Sequence, residues 1–203
     1  ASRDAVVVDT RWESAFAAAH VPGSTSLWLD GLPLWAGWLL DYDTPILLVI
    51  DGDDPEEAVR RLARLGYDNV TGFLSGGMWA WHAAGLTSAS VSTVTAGELC
   101  GWLDVGEGPA LLDIRSTHEV ASAGAVEGAQ RIPLGELGAR LDEVPREGRI
   151  CVLCGGGLRS MTAASLLRAA GREQVTVMLG GFAAWDSVTC PVRLGTPGAP
   201  GAR

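Results

Sequence analysis

The stretch Cys154-Gly155-Gly156-Gly157-Leu158-Arg159-Ser160 holds the residue types of a thiol nucleophile set in an anion cradle. It follows the apolar run Ile150-Cys151-Val152-Leu153 and precedes a segment with helical spacing. A glycine-rich turn between a strand and a helix can aim several backbone N–H groups at one point. The helix behind it adds the positive end of its dipole. Both favour the thiolate form of a cysteine at the mouth of the cradle. Arg159 supplies a permanent positive charge and a planar fork suited to an oxyanion. Such parts serve attack by a thiolate on an electrophilic centre carried by an anion, and the same amides then hold a persulfide anion on the cysteine. Ser160 is expected at the N-cap of the helix, donating to the sulfur as well.

The elements that must position this loop are written twice in the chain. Val6-Val7-Val8-Asp9-Thr10-Arg11 matches Leu111-Leu112-Asp113-Ile114-Arg115, each an apolar run closing in Asp-x-Arg. His20-Val21-Pro22-Gly23 matches Ala125-Val126-Glu127-Gly128, and Ile46–Ile50 matches Ile150–Leu153. Short Val/Ile-rich runs without alternation predict strands buried on both faces of a parallel sheet. A helix follows each central run: Ala58, Leu62 and Leu65 before Gly66, then Ala163, Leu166, Leu167 and Ala170 before Gly171. Both copies then read Gly-Gly-x-x-x-Trp, from Gly76 to Trp81 and from Gly180 to Trp185.

Strand–helix alternation predicts an α/β fold in each half, a mostly parallel central sheet flanked by helices. The second copy opens with a capping box, Thr95-Ala-Gly-Glu98, ahead of a helix with Leu99, Trp102 and Leu103 on one face. The first copy has no such opening strand and helix, and the chain has no initiator Met, so the tail of a longer polypeptide is expected. The domains are placed at 1–89, shortened and degenerate, and at 90–194, catalytic, with the boundary in Ser88–Ser92. Residues 195–203, rich in Gly, Pro and Ala, are expected to be a disordered tail.

The sequence resembles the rhodanese family through Asp113-x-Arg115, the loop Cys154-x-x-Gly157-x-Arg159-Ser160 and Leu179-Gly-Gly-Phe-Ala-Ala-Trp185. The resemblance implies two rhodanese-like domains and a sulfurtransferase. Cys154 would take a sulfane sulfur from thiosulfate or a low-molecular-weight persulfide and pass it to a thiol or cyanide; the alternative is a non-catalytic docking or sulfur-carrier module of a larger persulfide-oxidising protein, against which the intact Cys-x-x-Gly-x-Arg-Ser loop speaks. Gly155, Gly156, Gly157, Leu158 and Ser160 would form the substrate cradle, Arg159 would contact the donor anion, and Asp113 and Arg115 would be structural support. Glu119 matches a family position that is mostly structural. The segment Trp35-Ala-Gly-Trp38-Leu-Leu also looks like the rhodanese tails of metallo-β-lactamase-fold persulfide dioxygenase fusions. Cysteine phosphatases, a rival with a similar loop, place one more residue between cysteine and arginine; the shorter ring here suits a single sulfur.

The first half is expected to be inert, with Asp51 at the position of Cys154 and acids throughout Asp51-Gly-Asp-Asp-Pro-Glu-Glu57. Asp54 should cap the following helix, with Pro55 at its first position and Glu57 completing a box-like arrangement. Trp28, Trp35, Trp38, Trp79 and Trp81 crowd this half and are expected in its core and along a seam between the halves, with a docking face for an upstream domain or a second subunit as the alternative.

A formal net charge of −9 argues against nucleic acid and against an anionic membrane surface, and no apolar run is long enough to span a bilayer. The N-terminus lacks a signal-peptide pattern, and the four cysteines lack dense disulfide spacing, which points to a reduced, cytoplasmic setting. Cys151-Val-Leu-Cys154 has no second CxxC or HxxxH beside it, and His20, His82 and His118 lie far apart, so neither a metal site nor a cofactor is expected. Cys151 should be a buried, inert thiol, Cys100 a packing residue and Cys190 an exposed thiol; His118 is expected on an exposed loop.

Overall fold

The computed structural model describes residues 5–188, 190 and 194–195. The chain forms two compact units, Ala1–Val91 and Ser92–Arg203. In unit 1 the elements run β1 (Val6–Asp9), α1 (Glu13–Ala18), β2 (Thr25–Ser26), α2 (Leu32–Leu39), β3 (Ile46–Val49), α3 (Glu56–Ala63), β4 (Val70–Phe73) and α4 (Gly77–Ala83). In unit 2 they run β5 (Ser92–Val94), α5 (Ala96–Asp104), β6 (Ala110–Asp113), α6 (Thr117–Ala123), β7 (Ala125–Val126), β8 (Gln130–Arg131), α7 (Leu134–Leu137), β9 (Ile150–Leu153), α8 (Leu158–Ala169), β10 (Val175–Met178), α9 (Gly181–Asp186) and β11 (Leu194–Gly195).

Both central sheets are parallel, with strand orders β2-β1-β3-β4 and β5-β10-β9-β6-β8. The register repeats: Asp9 lies opposite Val49 as Asp113 lies opposite Leu153. Every residue of β9 is buried, as a strand covered on both faces requires. The paired Leu111, Cys151 and Leu153 pack with Val94, Leu99, Cys100, Met178, Phe182 and Trp185 into one cluster under α5 and α9. The helices begin where the capping boxes place them: Thr95 with Glu98 opens α5, and Ser116 with Glu119 opens α6. Helix α8 is buried nearly all round, and its small Ala163, Ala164 and Ser165 allow close packing.

Among the described residues unit 1 shows no counterpart of β5 and α5, and one face of its sheet is less covered. Leu47, aligned with the fully buried Cys151, is 38% exposed, and Phe73 on the edge strand β4 is also exposed. The layer corresponding to the large cluster of unit 2 shrinks to Val21, Val49 and Met78, with Leu74 and Trp81 half-buried beside them. The tryptophans do not all behave as core. Trp28 and Trp35 pack against the core, whereas Trp38 and Trp79 stand 69% and 80% exposed. Trp38 lies on α2, which packs with Ile46 and Leu48 on the face opposite Leu47, and Trp79 matches Ala183, a position exposed in unit 2 as well.

Three further expectations are corrected. Pro55 sits just before α3 and no side chain caps its amides from the N-cap; Asp54 Oδ1 accepts from the Glu56 N–H at 2.9 Å, and Glu57 pairs with Arg61 and Arg60 instead of closing a box. Cys100 and Cys190 are joined in a disulfide, because α5 and α9 pack side by side and bring the end of α9 back to α5. Gly195, placed at the head of a tail, pairs in β11 with β7; residues 196–203 of that proposed tail lie outside the described residues. Among the described residues no helix is long and apolar enough to cross a membrane, and no cluster of metal-ligating side chains occurs.

A cross-link between positions 90 residues apart restricts the unfolded chain strongly. Alkylation of the denatured, non-reduced protein should therefore label two of the four cysteines, Cys151 and Cys154. Cys190→Ala should lower the unfolding free energy of unit 2 by roughly 2–5 kcal/mol in urea titrations; an unchanged midpoint would show that the bond does not form.

Candidate active site

The loop after β9 is held from behind by α9. The Phe182 N–H donates to the Cys154 carbonyl at 2.6 Å, and the Ala183 N–H donates to the Gly155 carbonyl at 3.1 Å. The peptides of the loop are trans, so the N–H groups of Gly155 and Gly156 point away from α9, on the side opposite those carbonyls. Gly157, at φ +109°, is the N-cap of α8. It turns its own N–H onto the Cys154 sulfur at 3.0 Å. The N-cap amide of a twelve-residue helix thus lies on the thiol, with the helix dipole behind it.

The approach of α9 to the loop depends on Gly181. A Cβ there would strike the Cys154 carbonyl and lie 2.8 Å from the Gly155 carbonyl oxygen, and the backbone stands at φ +55°. The repeated Gly-Gly is thus a contact surface for the loop as well as a helix start.

Asp113 and Arg115 lie one step further back. Asp113 Oδ1 accepts from the Arg115 N–H at 3.1 Å and from Nε at 3.0 Å, and Oδ2 accepts from Nη2 at 2.6 Å. Arg115 Nη2 also donates to the Gly124 carbonyl, and the guanidinium stacks 3.9 Å over the Phe182 ring. This buried pair steadies Phe182, whose N–H holds the Cys154 carbonyl. Sequence reading placed both residues below the site; the link through Phe182 was not visible, because no local spacing joins Arg115 to Phe182.

Cys154 is 1% exposed and sits at the floor of the loop, not at its mouth, because its side chain folds under to meet the Gly157 N–H. Gly156 is exposed and Gly155, Leu158 and Arg159 are half-buried. Cys151 is fully buried, and burial pushes its thiol up to about 12. Ser160 is not the N-cap. It is the third residue of α8, its N–H donates to the Gly157 carbonyl, and its buried Oγ has no hydrogen-bond partner among the described residues. The helix starts earlier than expected because Gly157 adopts a conformation a serine would resist. His118 lies in the first turn of α6, exposed.

Arg159 is engaged. Nη1 donates to Glu119 Oε2 at 2.9 Å and Nη2 to Oε1 at 2.5 Å. Hydrogen bonds from Arg159, with those from Ser116, pull the Glu119 carboxyl down to about 2 despite partial burial. The guanidinium is raised in turn by Glu119 first, and the nearby Cys154 adds to the effect. Glu119 is therefore a site residue that sequence reading left among the structural ones; forty positions separate the pair.

In unit 1 the aligned registers put Ile50, not Asp51, at the position of Cys154: Ile50 follows Val49 as Cys154 follows Leu153. Asp51 is exposed in the loop beyond. The scaffold pair persists, with Arg11 donating to Asp9 at 2.6–3.1 Å and to the Ala19 carbonyl at 2.8 Å.

A parallel sheet with a cysteine in the turn between its central strand and the next helix, backed by a Gly-Gly helix start and a buried Asp-x-Arg pair, defines unit 2 as a rhodanese-type domain, and unit 1 repeats the sheet, the pair and the helix start without the cysteine. The rhodanese-like domain family matches residues 1–84 and 95–187, and the chain belongs to that family. The chain is 30% identical over 82 residues to a sulfurtransferase of Allochromatium vinosum, covering 40% of this chain and 76% of that one. It is 35% identical over 100 residues to the probable adenylyltransferase/sulfurtransferase MoeZ of Mycobacterium tuberculosis, covering 48% of this chain and 25% of that relative, so it spans only a quarter of that protein's length. A thiosulfate sulfurtransferase from Pseudomonas aeruginosa aligns in structure over 98% of this chain and 43% of that one, at 26% identity and a TM-score of 0.45. Family and relatives support sulfur transfer as the general chemistry.

Gly181→Ala should cost at least ~2 kcal/mol of unit 2 stability, from strain and the collision with the loop, seen as a lowered urea midpoint. The Glu119 carboxyl is depressed on folding, so its contribution is complete above its ordinary value near 4.5 and fades as pH falls toward about 2. The stability gap between wild type and Glu119→Gln should accordingly be largest above pH 5 and narrow between pH 4.5 and 2; a gap independent of pH would refute the ion pair.

Proposed function

We propose that unit 2 is a sulfurtransferase in which Cys154 carries the sulfur. The donor is thiosulfate or a low-molecular-weight persulfide, and the acceptor is a thiol or cyanide. The Cys154 thiolate attacks the outer sulfur of the donor. The donor S–S bond breaks, sulfite or a thiolate leaves with the bonding pair, and a Cys154 persulfide remains. An acceptor then attacks the terminal sulfur and regenerates the Cys154 thiolate. The observation that carries this reading is the Gly157 N–H on the Cys154 sulfur, at the head of a long helix, in a loop whose carbonyls face away. That arrangement favours an anionic sulfur, before and after transfer.

Gly155, Gly156, Gly157 and Leu158 form the cradle, and Arg159 faces the donor while bound to Glu119. A guanidinium has five N–H donors, and Glu119 takes two of the bonds it can make. Ser160 supports the first turn of α8 and caps nothing. Unit 1 offers Ile50 where the nucleophile would stand, so its role is not this chemistry. Exposed Trp38 and Trp79 favour a second reading for that unit alone, a docking face for an upstream domain or a second copy.

Incubation with thiosulfate or glutathione persulfide, followed by intact mass measurement, should show the gain of one sulfur atom on the wild type and none on Cys154→Ser. Arg159→Ala should slow loading by about tenfold or more while leaving the fold in place, the cost of removing one charge-assisted contact. Loading of Cys154→Ser at the wild-type level would end this reading.

A further inference from the structure

We propose that Glu119 sets the charge selectivity of the site: by holding Arg159 it cancels the loop's side-chain cation, so that persulfides, which bring at most one charge at the reacting end, are accepted in preference to thiosulfate, which brings two. This inference rests on the sulfur-transfer reading above.

The pair is placed to act on the donor. A Cβ built on Gly155 would lie 2.9 Å from Arg159 Nη2 and 3.3 Å from Glu119 Oε1, so both charges lie directly over the residue after the nucleophile. Gly155 is what lets them lie there. The carboxylate cannot easily leave. Its Oε2 also accepts from the Ser116 N–H and Oγ, both at 2.9 Å, as the reciprocal half of the α6 capping box. The same side chain thus caps a helix and occupies a guanidinium. The second arginine near the loop, Arg115, is fully buried on Asp113.

What remains to attract an anion is mainly the backbone, the loop amides and the α8 dipole, together about half a positive charge, with the N–H groups of Arg159 that Glu119 does not take. That suits one anionic sulfur. Thiosulfate brings a second charge on its sulfonate end, which finds no unpaired cation and meets the Glu119 carboxylate. A low-molecular-weight persulfide brings at most one charge to the loop, on the sulfur to be transferred, and none while that sulfur holds its proton. With R–S–SH as donor, the Cys154 thiolate bonds to the outer sulfur, the donor S–S bond breaks, and RS⁻ departs with the pair. The proton of the outer sulfur passes to RS⁻, giving RSH and the Cys154 persulfide anion. With thiosulfate the leaving group is sulfite, itself a dianion, so the repulsion persists through the transition state.

The test compares kcat/KM for thiosulfate and for glutathione persulfide in the full chain, wild type and Glu119→Gln. Glutamine still serves a capping box, so the helix start is retained. Freeing the Arg159 charge should raise kcat/KM for thiosulfate by ~10-fold or more, chiefly through KM, and change the persulfide value less than ~3-fold. Ser116→Ala, which weakens the box but keeps the carboxylate, should lower stability and leave the donor ratio unchanged; a merely structural Glu119 would make the two variants behave alike. On the wild type alone, added salt should raise kcat/KM for thiosulfate more steeply than for persulfide, because repulsion is screened. An unchanged donor ratio in Glu119→Gln, a wild type that prefers thiosulfate, or a thiosulfate rate that falls with salt would each overturn the assignment. If neither donor loads Cys154 in either protein, it is the sulfur-transfer reading that fails, and the selectivity of Glu119 with it.

Discussion

The site depends on two backbone hydrogen bonds that α9 makes to the loop. A chain segment that must offer N–H groups to an anion has to dispose of its carbonyls somewhere, and buried carbonyls left unpaired are costly. Here the carbonyls of Cys154 and Gly155 are taken by the N–H groups of Phe182 and Ala183. Those N–H groups are among the orphan donors at the start of a helix. One helix start thus supplies the donors that fix the loop, and another, α8, supplies the field that favours the anion. The remaining features follow. Gly181 has no side chain because the carbonyls occupy that space. Phe182 is held by Arg115, and Arg115 by Asp113, so the Asp-x-Arg motif supports the Cys154 loop without touching the sulfur.

The charges around the loop are arranged with similar economy. Two arginines come near it, and each is matched by a carboxylate: Asp113 for Arg115, Glu119 for Arg159. A buried arginine without its partner would be strongly destabilising. The matching prevents that and also fixes what is left for substrate, namely oriented amides and a few unused N–H bonds of Arg159. Backbone amides do not titrate and lose no rotamer entropy, so they form a more constant cradle than a free cation. The buried Cys151 plays no part in this field, since it lies in the apolar layer with Leu153 and Met178.

Much of this was legible in the residues, and the parts that were not share a cause. The strands, the glycine-terminated helices, the capping box at Thr95 and the loop after Leu153 all follow from patterns within a few positions of one another. The Glu119–Arg159 pair spans forty positions and the Cys100–Cys190 bridge ninety. Both depend on which helices become neighbours, which local spacing does not encode. Ser160 failed as a cap for a smaller reason: three successive glycines leave the helix start undetermined, and the one that adopts positive φ, Gly157, decides it. Residue type alone does not give the exposure of Trp38 and Trp79, which follows from the outward side of α2 and α4 on which they fall.

Unit 1 separates the scaffold from the chemistry built on it. It keeps the parallel sheet, the buried Asp9–Arg11 pair and the Gly-Gly helix start at α4. Yet Ile50 stands where the thiol would be, 5% exposed, and the turn beyond it carries Asp51, Asp53 and Asp54. Asp53 Oδ1 accepts from the Gly76 N–H at 3.3 Å, so a side chain takes up an amide at the start of α4. The comparison shows that the fold does not need the nucleophile, whereas the nucleophile needs more than the fold. It needs a turn in which no side chain competes for the amides, and three consecutive glycines meet that requirement. It also needs a sheet face closed by a helix, so that the layer beneath the sulfur stays dry. In unit 2, α5 closes that face over Cys151; in unit 1 the matching Leu47 meets solvent.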